Sequence, residues 1–286
     1  RGTSPKVWNA WKGKLLEDCY RLTLRHLGGA PVNREAEIEA RKQEARQLLA
    51  LRSALPETEA PLWRTLQLSY FARHEAAELA WHARELWRHV GAPQPVVRAR
   101  PSPVGEGLQV LVYARDVPDL FARICGYFDG AGFNILDAKI HTSTDGVALD
   151  TFQVISSDPA TLHRDLVPLV EQKLALALTQ TGPLPEPRRA RLSRRVKSFP
   201  YQPRVSLRPD ERAQAWVLSL SASDRAGLLY AIARVLAKHH INLQLAKIST
   251  LGERVEDTLL VSGAALQHAR LQLQVESELL DALALP

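Results

Sequence analysis

Two short stretches hold the residues best suited to grip a small molecule: Asp116-Val117-Pro118-Asp119-Leu120 and Asp224-Arg225-Ala226-Gly227-Leu228. Each joins a predicted strand to a predicted helix. A helix N-terminus offers unpaired N–H groups and a partial positive charge, which suits a carboxylate, while a neighbouring Asp can take an ammonium group. An amino acid carries both. Gly227 would let such a ligand approach the backbone closely. Asp116 and Asp224 have a plainer use as helix caps, and the spacing leaves both roles open. Asn134 and Asn242 stand where a helix ends and the next strand begins. There an Asn bonds local backbone or, facing a helix start, reaches the polar end of a ligand.

Signatures of catalysis are missing from the chain. It has no GxGxxG or GxxxxGK[ST] phosphate loop, no GxSxG elbow, no His-Asp dipeptide and no Asp-x-Asp pair. A site here is expected to bind rather than react. His74, Glu78 and His82 lie four apart in HEAAELAWH, which is not the HExxH spacing that places two imidazoles around zinc, so packing and capping are expected of them. Cys19 and Cys125 have no paired spacing, which points away from disulfides and zinc and toward a reducing cytoplasm. No apolar run is long enough to span a bilayer. The 286 residues begin at Arg1 and contain no Met, so the chain reads as part of something longer, with its catalytic machinery elsewhere.

The elements that position the junctions come in two copies. Adding 108 to the residue number sets Asp116 against Asp224, Leu120 against Leu228, Asn134 against Asn242 and Lys139 against Lys247; past the turn the shift is 107, so Asp150-Thr151 answers Asp257-Thr258. NILDAKI (134–140) and NLQLAKI (242–248) are the plainest echo. A period near 100 residues suits a duplicated domain. The expected organisation is an all-helical segment over 1–92, a module over 93–182, a basic linker over 183–202 and a second module over 203–286. The linker region matters for charge. Between Pro183 and Arg212 nine Lys/Arg face three Asp/Glu, and that difference of six equals the net charge of +6. Basic stretches of this kind are solvated tethers or anion-binding arms.

Within the helical segment, three- and four-residue apolar steps predict a helix from Ser4 (Trp8, Trp11, Leu15, Leu22, His26), one from Asn33 to Leu55 closed by Pro56, and one from Glu75 to Val90. Each module reads strand, strand, helix, strand, strand, helix, giving an α+β sandwich with four strands on one side and two helices on the other. In the first these are 96–100, 108–114, 118–131, 134–141, 147–156 and a helix capped by Asp158-Pro159, in which Pro168 predicts a kink. In the second they are 204–208, 216–222, 226–238, 241–250, 254–262 and 269–283.

The D-x-x-[GP]-L junction, with Asp119 in the first copy where the second has Gly227 and Ala226 in the second where Pro is usual, and the N-[IL]-x-x-A-K-I-x-T strand resemble ACT domains, amino-acid-sensing modules with a ferredoxin-like sheet. The tandem, with Ser193–Lys197 (SRRVK), Phe199-Pro200, Arg208–Arg212 (RPDER) and Leu251–Asp257 (LGERVED), is similar to the C-terminal end of the PII uridylyltransferase/uridylyl-removing enzyme family, and Gly2–Lys12 is similar to the stretch after that family's HD phosphohydrolase core. The resemblance implies a nitrogen sensor: glutamine binding at Asp116, Pro118, Leu120, Asn134, Asp224, Gly227, Leu228 and Asn242 would switch uridylylation of the PII signalling protein from UTP and hydrolytic removal of UMP. The upstream nucleotidyltransferase and HD domains would supply the chemistry and a divalent metal such as Mg2+, with no cofactor in this chain. The leading strand of each module is expected to stand in for the last strand of the usual fold. An alternative is a ligand-free ACT pair that docks PII or another protein. RNA reading is disfavoured because Phe152 is the one aromatic on the inner strands.

Overall fold

The computed structural model describes residues 34–103, 105–158, 163–187, 201–210, 215–248, 250–251 and 254–284, with four helical positions nearer the N-terminus (Leu16, Tyr20, Thr23, Leu24). Those four positions fall within the helix expected from Ser4, whose remaining residues, like the Asn33 cap, Pro159 and the basic heart of the linker, lie outside the described residues.

Helices α1 (Arg34–Leu51), α2 (Ala60–Trp63), α3 (Leu68–Arg73) and α4 (Ala76–Leu86) form the first layer. The first ends at Leu51 rather than Leu55. Ser53 takes a left-handed φ of 56° and Ala54 N–H returns to the Leu49 carbonyl, which closes the helix before Pro56 is reached. Helix α4 starts one residue after Glu75 through a capping box with Glu78 and stops at Leu86, short of Val90.

The first module contains β1 (Val96–Pro101), β2 (Leu108–Arg115), α5 (Leu120–Gly130), β3 (Phe133–Lys139), β4 (Val147–Ser156) and α6 (His163–Thr179). The second contains β5 (Arg204–Asp210), β6 (Ala215–Ser223), α7 (Leu228–Lys238), β7 (Asn242–Lys247), β8 (Thr250–Leu251), β9 (Arg254–Ser262) and α8 (Ala269–Leu283). The helix over α6 is continuous through Pro168, and the strand expected over 241–250 is split into β7 and β8, with a register shift between Leu243 and Leu245.

The sheets run β1-β2-β4-β3 and β5-β6-β9-β7, antiparallel throughout, with β8 paired to β9. The leading strands β1 and β5 therefore flank β2 and β6 at the sheet edge, the place that a final strand would fill.

Side-chain alternation decides what each sheet packs against. On β2, Val110, Val112 and Ala114 point into a core shared by both modules, together with Phe128, Phe152, Ile232 and Leu259. The opposite face of the same strand carries Leu111 and Tyr113, which join Val147 and Leu149 against Leu79, Trp81 and Leu86 of the helical layer. The first sheet is thus covered on both faces, and each large side chain removed from water there contributes about 1.5–3 kcal/mol. At the matching positions the second module has Ser219, Ser221, Arg254 and Glu256. Apart from Val217, Leu245 and Leu260 its outer face is polar, and no described helix covers it.

Candidate functional site

The two modules meet helix against helix. Ala122 and Cys125 of α5 pack on Tyr230 and Ala233 of α7. Gly126 permits this approach, because a Cβ there would lie 2.9 Å from the Tyr230 ring. Strand β3 lies beside β7 along the same seam. Two clefts open on it, and each is lined by both modules.

The larger, a cavity of about 50 Å³, takes Asp224, Arg225, Gly227, Leu228 and Asp257 from the second module and Cys125, Asp129, Asn134 and Ile135 from the first. The smaller, about 30 Å³, takes Asp116, Pro118, Leu120, Thr142 and Asp150 from the first module and Ala237 and Asn242 from the second. All eight residues singled out in the sequence line a cleft, but crosswise. Asn134 stands with the other module's junction, Asn242 likewise, and neither Asn lines the cleft of its own junction.

Both junctions make the same turn, with Leu120 N–H to the Val117 carbonyl at 3.0 Å and Leu228 N–H to the Arg225 carbonyl at 3.3 Å. They differ at the N-cap. Asp119 sits there with φ −111° and is ion-paired to Arg123 one helical turn on. Gly227 sits there with φ +74°, in the region open mainly to glycine, and a Cβ on it would come within 2.9 Å of Asp129 Oδ1. Neither N-cap residue supplies a side-chain cap bond. Asp116 does not sit at the N-cap; its Oδ2 accepts a 2.7 Å bond from the Thr142 hydroxyl.

Sequence reasoning passed over four buried or charged groups in these clefts: Asp129, Arg225, Asp150 and Asp257. Asp150 and Asp257 are each 2% exposed and occupy the same register in the two copies. A carboxylate inside an apolar strand was the available signal. Burial pushes the Asp150 carboxyl up to about 8 despite the bond it accepts from His141 N–H, and the Asp116 charge adds to the rise. Burial lowers the Arg225 pKa, opposed by the Asp129 carboxylate across the seam.

The helical layer is locked onto the first sheet by polar bonds. Lys139 Nζ donates to Glu78 Oε2 at 2.6 Å and Oε1 at 2.9 Å, and Gln109 Nε2 donates to Glu78 Oε1 at 2.7 Å. Burial pushes the Glu78 carboxyl up, but Lys139, His74 and His82 outweigh it and hold it at about 2. His82 bonds Tyr70 and Thr151 through its two ring nitrogens, and His74 Nδ1 lies 2.8 Å from the Tyr70 carbonyl. Burial lowers both histidines, His74 to about 3. The HEAAELAWH residues are therefore packing and capping groups. Arg73 ends α3 and reaches both modules, donating to the carbonyls of Ile140 at 3.3 Å and Ala246 at 3.4 Å. Among the described residues no helix is long and apolar enough to cross a membrane, and no three His/Cys/Asp/Glu are grouped to hold a metal ion.

Residues 33–85 match the family described as the uridylyltransferase GlnD fifth domain, and residues 216–275 match the ACT domain family. The chain is 55% identical over 284 residues to proteins named bifunctional uridylyltransferase/uridylyl-removing enzyme from Burkholderia lata, Burkholderia mallei and Burkholderia thailandensis. Those alignments take in 99% of this chain and 33% of each relative, so the chain spans about a third of their length. No solved structure matches it.

Proposed function

We propose that the chain, which is 55% identical over 284 residues to about a third of the length of proteins named bifunctional uridylyltransferase/uridylyl-removing enzyme and matches the GlnD fifth-domain and ACT families, is the glutamine-sensing regulatory part of such an enzyme. On this reading glutamine in the seam clefts switches the enzyme between adding UMP to PII and removing it. The nucleotidyltransferase and phosphohydrolase centres, with their divalent metal, would lie in the remaining two thirds of the protein.

The observation that carries the proposal is the crosswise build of the clefts. A ligand bonded to the junction of one module and the Asn of the other holds the two in a fixed relation, so its affinity depends on how they are placed. A differential of about 1 to 3 kcal/mol between two placements is enough for ordinary allosteric coupling. Arg73 gives a means of reading that placement. Its helical layer is anchored on the first module through Glu78 and Lys139, while its guanidinium also holds the Ala246 carbonyl of the second.

Calorimetry with glutamine tests the proposal. Saturable binding is expected in the unaltered chain, weakened about tenfold or more by Asp224→Ala or Asp116→Ala, the scale of a lost charge-assisted bond. Unchanged binding in both variants would remove the junctions from the site.

A further inference from the structure

We propose that the open edge of β1 takes an extended peptide as a fifth strand of the first sheet, laid in a groove between that edge and α6. The inference is independent of the function proposed above, since the groove touches neither the seam clefts nor the second module.

The main chain is the first reason. Strand β1 ends the sheet order, so one of its edges has no strand beside it. In an antiparallel pair alternate residues turn their N–H and C=O away from the neighbour. Ala99 N–H donates to Oε1 of Glu171 on α6 at 2.8 Å, which places Ala99, and with it Val97, on the open side. The Val97 carbonyl accepts a 2.9 Å bond from Nη1 of Arg98. Two side-chain ends thus stand where the carbonyl and N–H of a further strand would, and both can swing aside for one. Pro101, next on the same edge, has no N–H and marks where the pairing stops.

Room is the second. A groove of about 400 Å³ runs along this edge, against about 50 and 30 Å³ for the seam clefts. Its floor is β1, one wall is α6 with Glu171 and Ala175, and the other is the connector after α4 with His89 and Ala92. A strand laid there is covered on both faces, and the two alanines leave space for its side chains. Charge selects among such segments. Arg98 Nη2 lies 3.2 Å from His89 Nε2 on the connector side. Glu85 is held by Arg84 at 2.7 Å and stands farther, 3.7 Å, from Arg98, so the Arg98 charge is only partly met. The guest that fits has small side chains toward Ala92 and Ala175 and a carboxylate toward Arg98. Strand addition of this kind takes its affinity from main-chain bonds and its specificity from alternate side chains.

The repeat supplies the third. The last helices of the modules align with a shift of 105, which sets the buried Val170 and Leu174 against the buried Val275 and Leu279. Glu171 then answers Glu276, and Ala175 answers Leu280. An acid at this position is common to both copies, whereas the small wall residue is particular to the first.

The test is selection from a displayed library of random peptides, about ten residues long, on the unaltered chain, followed by fluorescence polarisation with a selected peptide. Ala175→Leu, which gives the wall the side chain of the second copy, is expected to weaken binding about tenfold or more. N-methyl groups on alternate amides of the peptide should abolish binding in one register and change it less than about threefold in the other, because only one set of amides faces β1. Bound peptide should also slow hydrogen exchange over residues 96–101. Thermal midpoints show whether Ala175→Leu has folded; should it fail, the N-methyl series decides by itself. Equal loss from N-methylation in both registers, or binding that a folded Ala175→Leu leaves unchanged, would overturn the proposal. So would a library that yields no binder, or self-association of the chain that Ala175→Leu abolishes, since the edge would then serve a second copy.

Discussion

Lys139 and Lys247 are the same residue of a duplicated phrase, so replacing each with Ala separates what the fold asks of the motif from what one copy adds. Lys139 faces the helical layer and bonds Glu78, which is 7% exposed and also bonds Gln109 Nε2 and the Glu75 N–H. Removing Lys139 strands a buried carboxylate, a change that typically costs 3–5 kcal/mol. The Glu78 carboxyl agrees in direction: burial pushes it up, yet Lys139 and the two histidines hold it near 2 instead of its ordinary 4.5. Lys247 points from the uncovered face of the second sheet and is exposed, so its loss should stay within about 0.5 kcal/mol. Urea unfolding of the two variants at pH 7, followed by circular dichroism, measures both. The stabilising effect of a depressed carboxyl is present above its unfolded pKa, so the gap between the variants should narrow as pH falls from about 4.5 toward 2. Equal losses in the two variants, or a Lys139→Ala cost below about 1 kcal/mol, would refute the assignment of this pair as the anchor of the helical layer.

Gly227→Ala should lower stability by about 1–2 kcal/mol from the left-handed backbone alone, with more from the displaced Asp129 carboxylate, read as a lower urea midpoint. Asp150 holds its proton in the folded chain up to about pH 8 and releases it near 4 when unfolded, so the unfolded state binds fewer protons between those values. The buried histidines are neutral in the folded chain and titrate near 6.5 when unfolded, so the Asp150 effect stands clear of them above that pH: stability of the unaltered chain should fall as pH rises from about 6.5 to 8, and Asp150→Asn should flatten that slope in a pH series of thermal midpoints.

Periodicity and punctuation were enough for the element order of both modules, because turn residues bound each apolar strand and each helix carries its own apolar stripe. The helix end at Leu51 was hidden because it depends on a left-handed Ser53, a conformation that Ser does not announce, while Pro56 nearby offered a false stop. The covered outer face of the first sheet was legible and was missed. Leu111, Tyr113, Val147 and Leu149 are apolar where the second copy has Ser219, Ser221, Arg254 and Glu256, and a face that stays apolar on both sides of a strand must be buried twice. The partnering of Asn134 with the other module's junction was not legible. The same shift relates Asn134 to Asn242 and Asp116 to Asp224, so the repeat is satisfied equally by pairing within a module or across the seam. Only the docking of α5 on α7 through Gly126 and Tyr230 decides between them.

A crystal structure of the chain grown with glutamine tests the central claim most directly. The account predicts glutamine on the seam, bonded to the strand-to-helix junction of one module and to the Asn of the other. Glutamine bonded within a single module, or away from the seam, would contradict it.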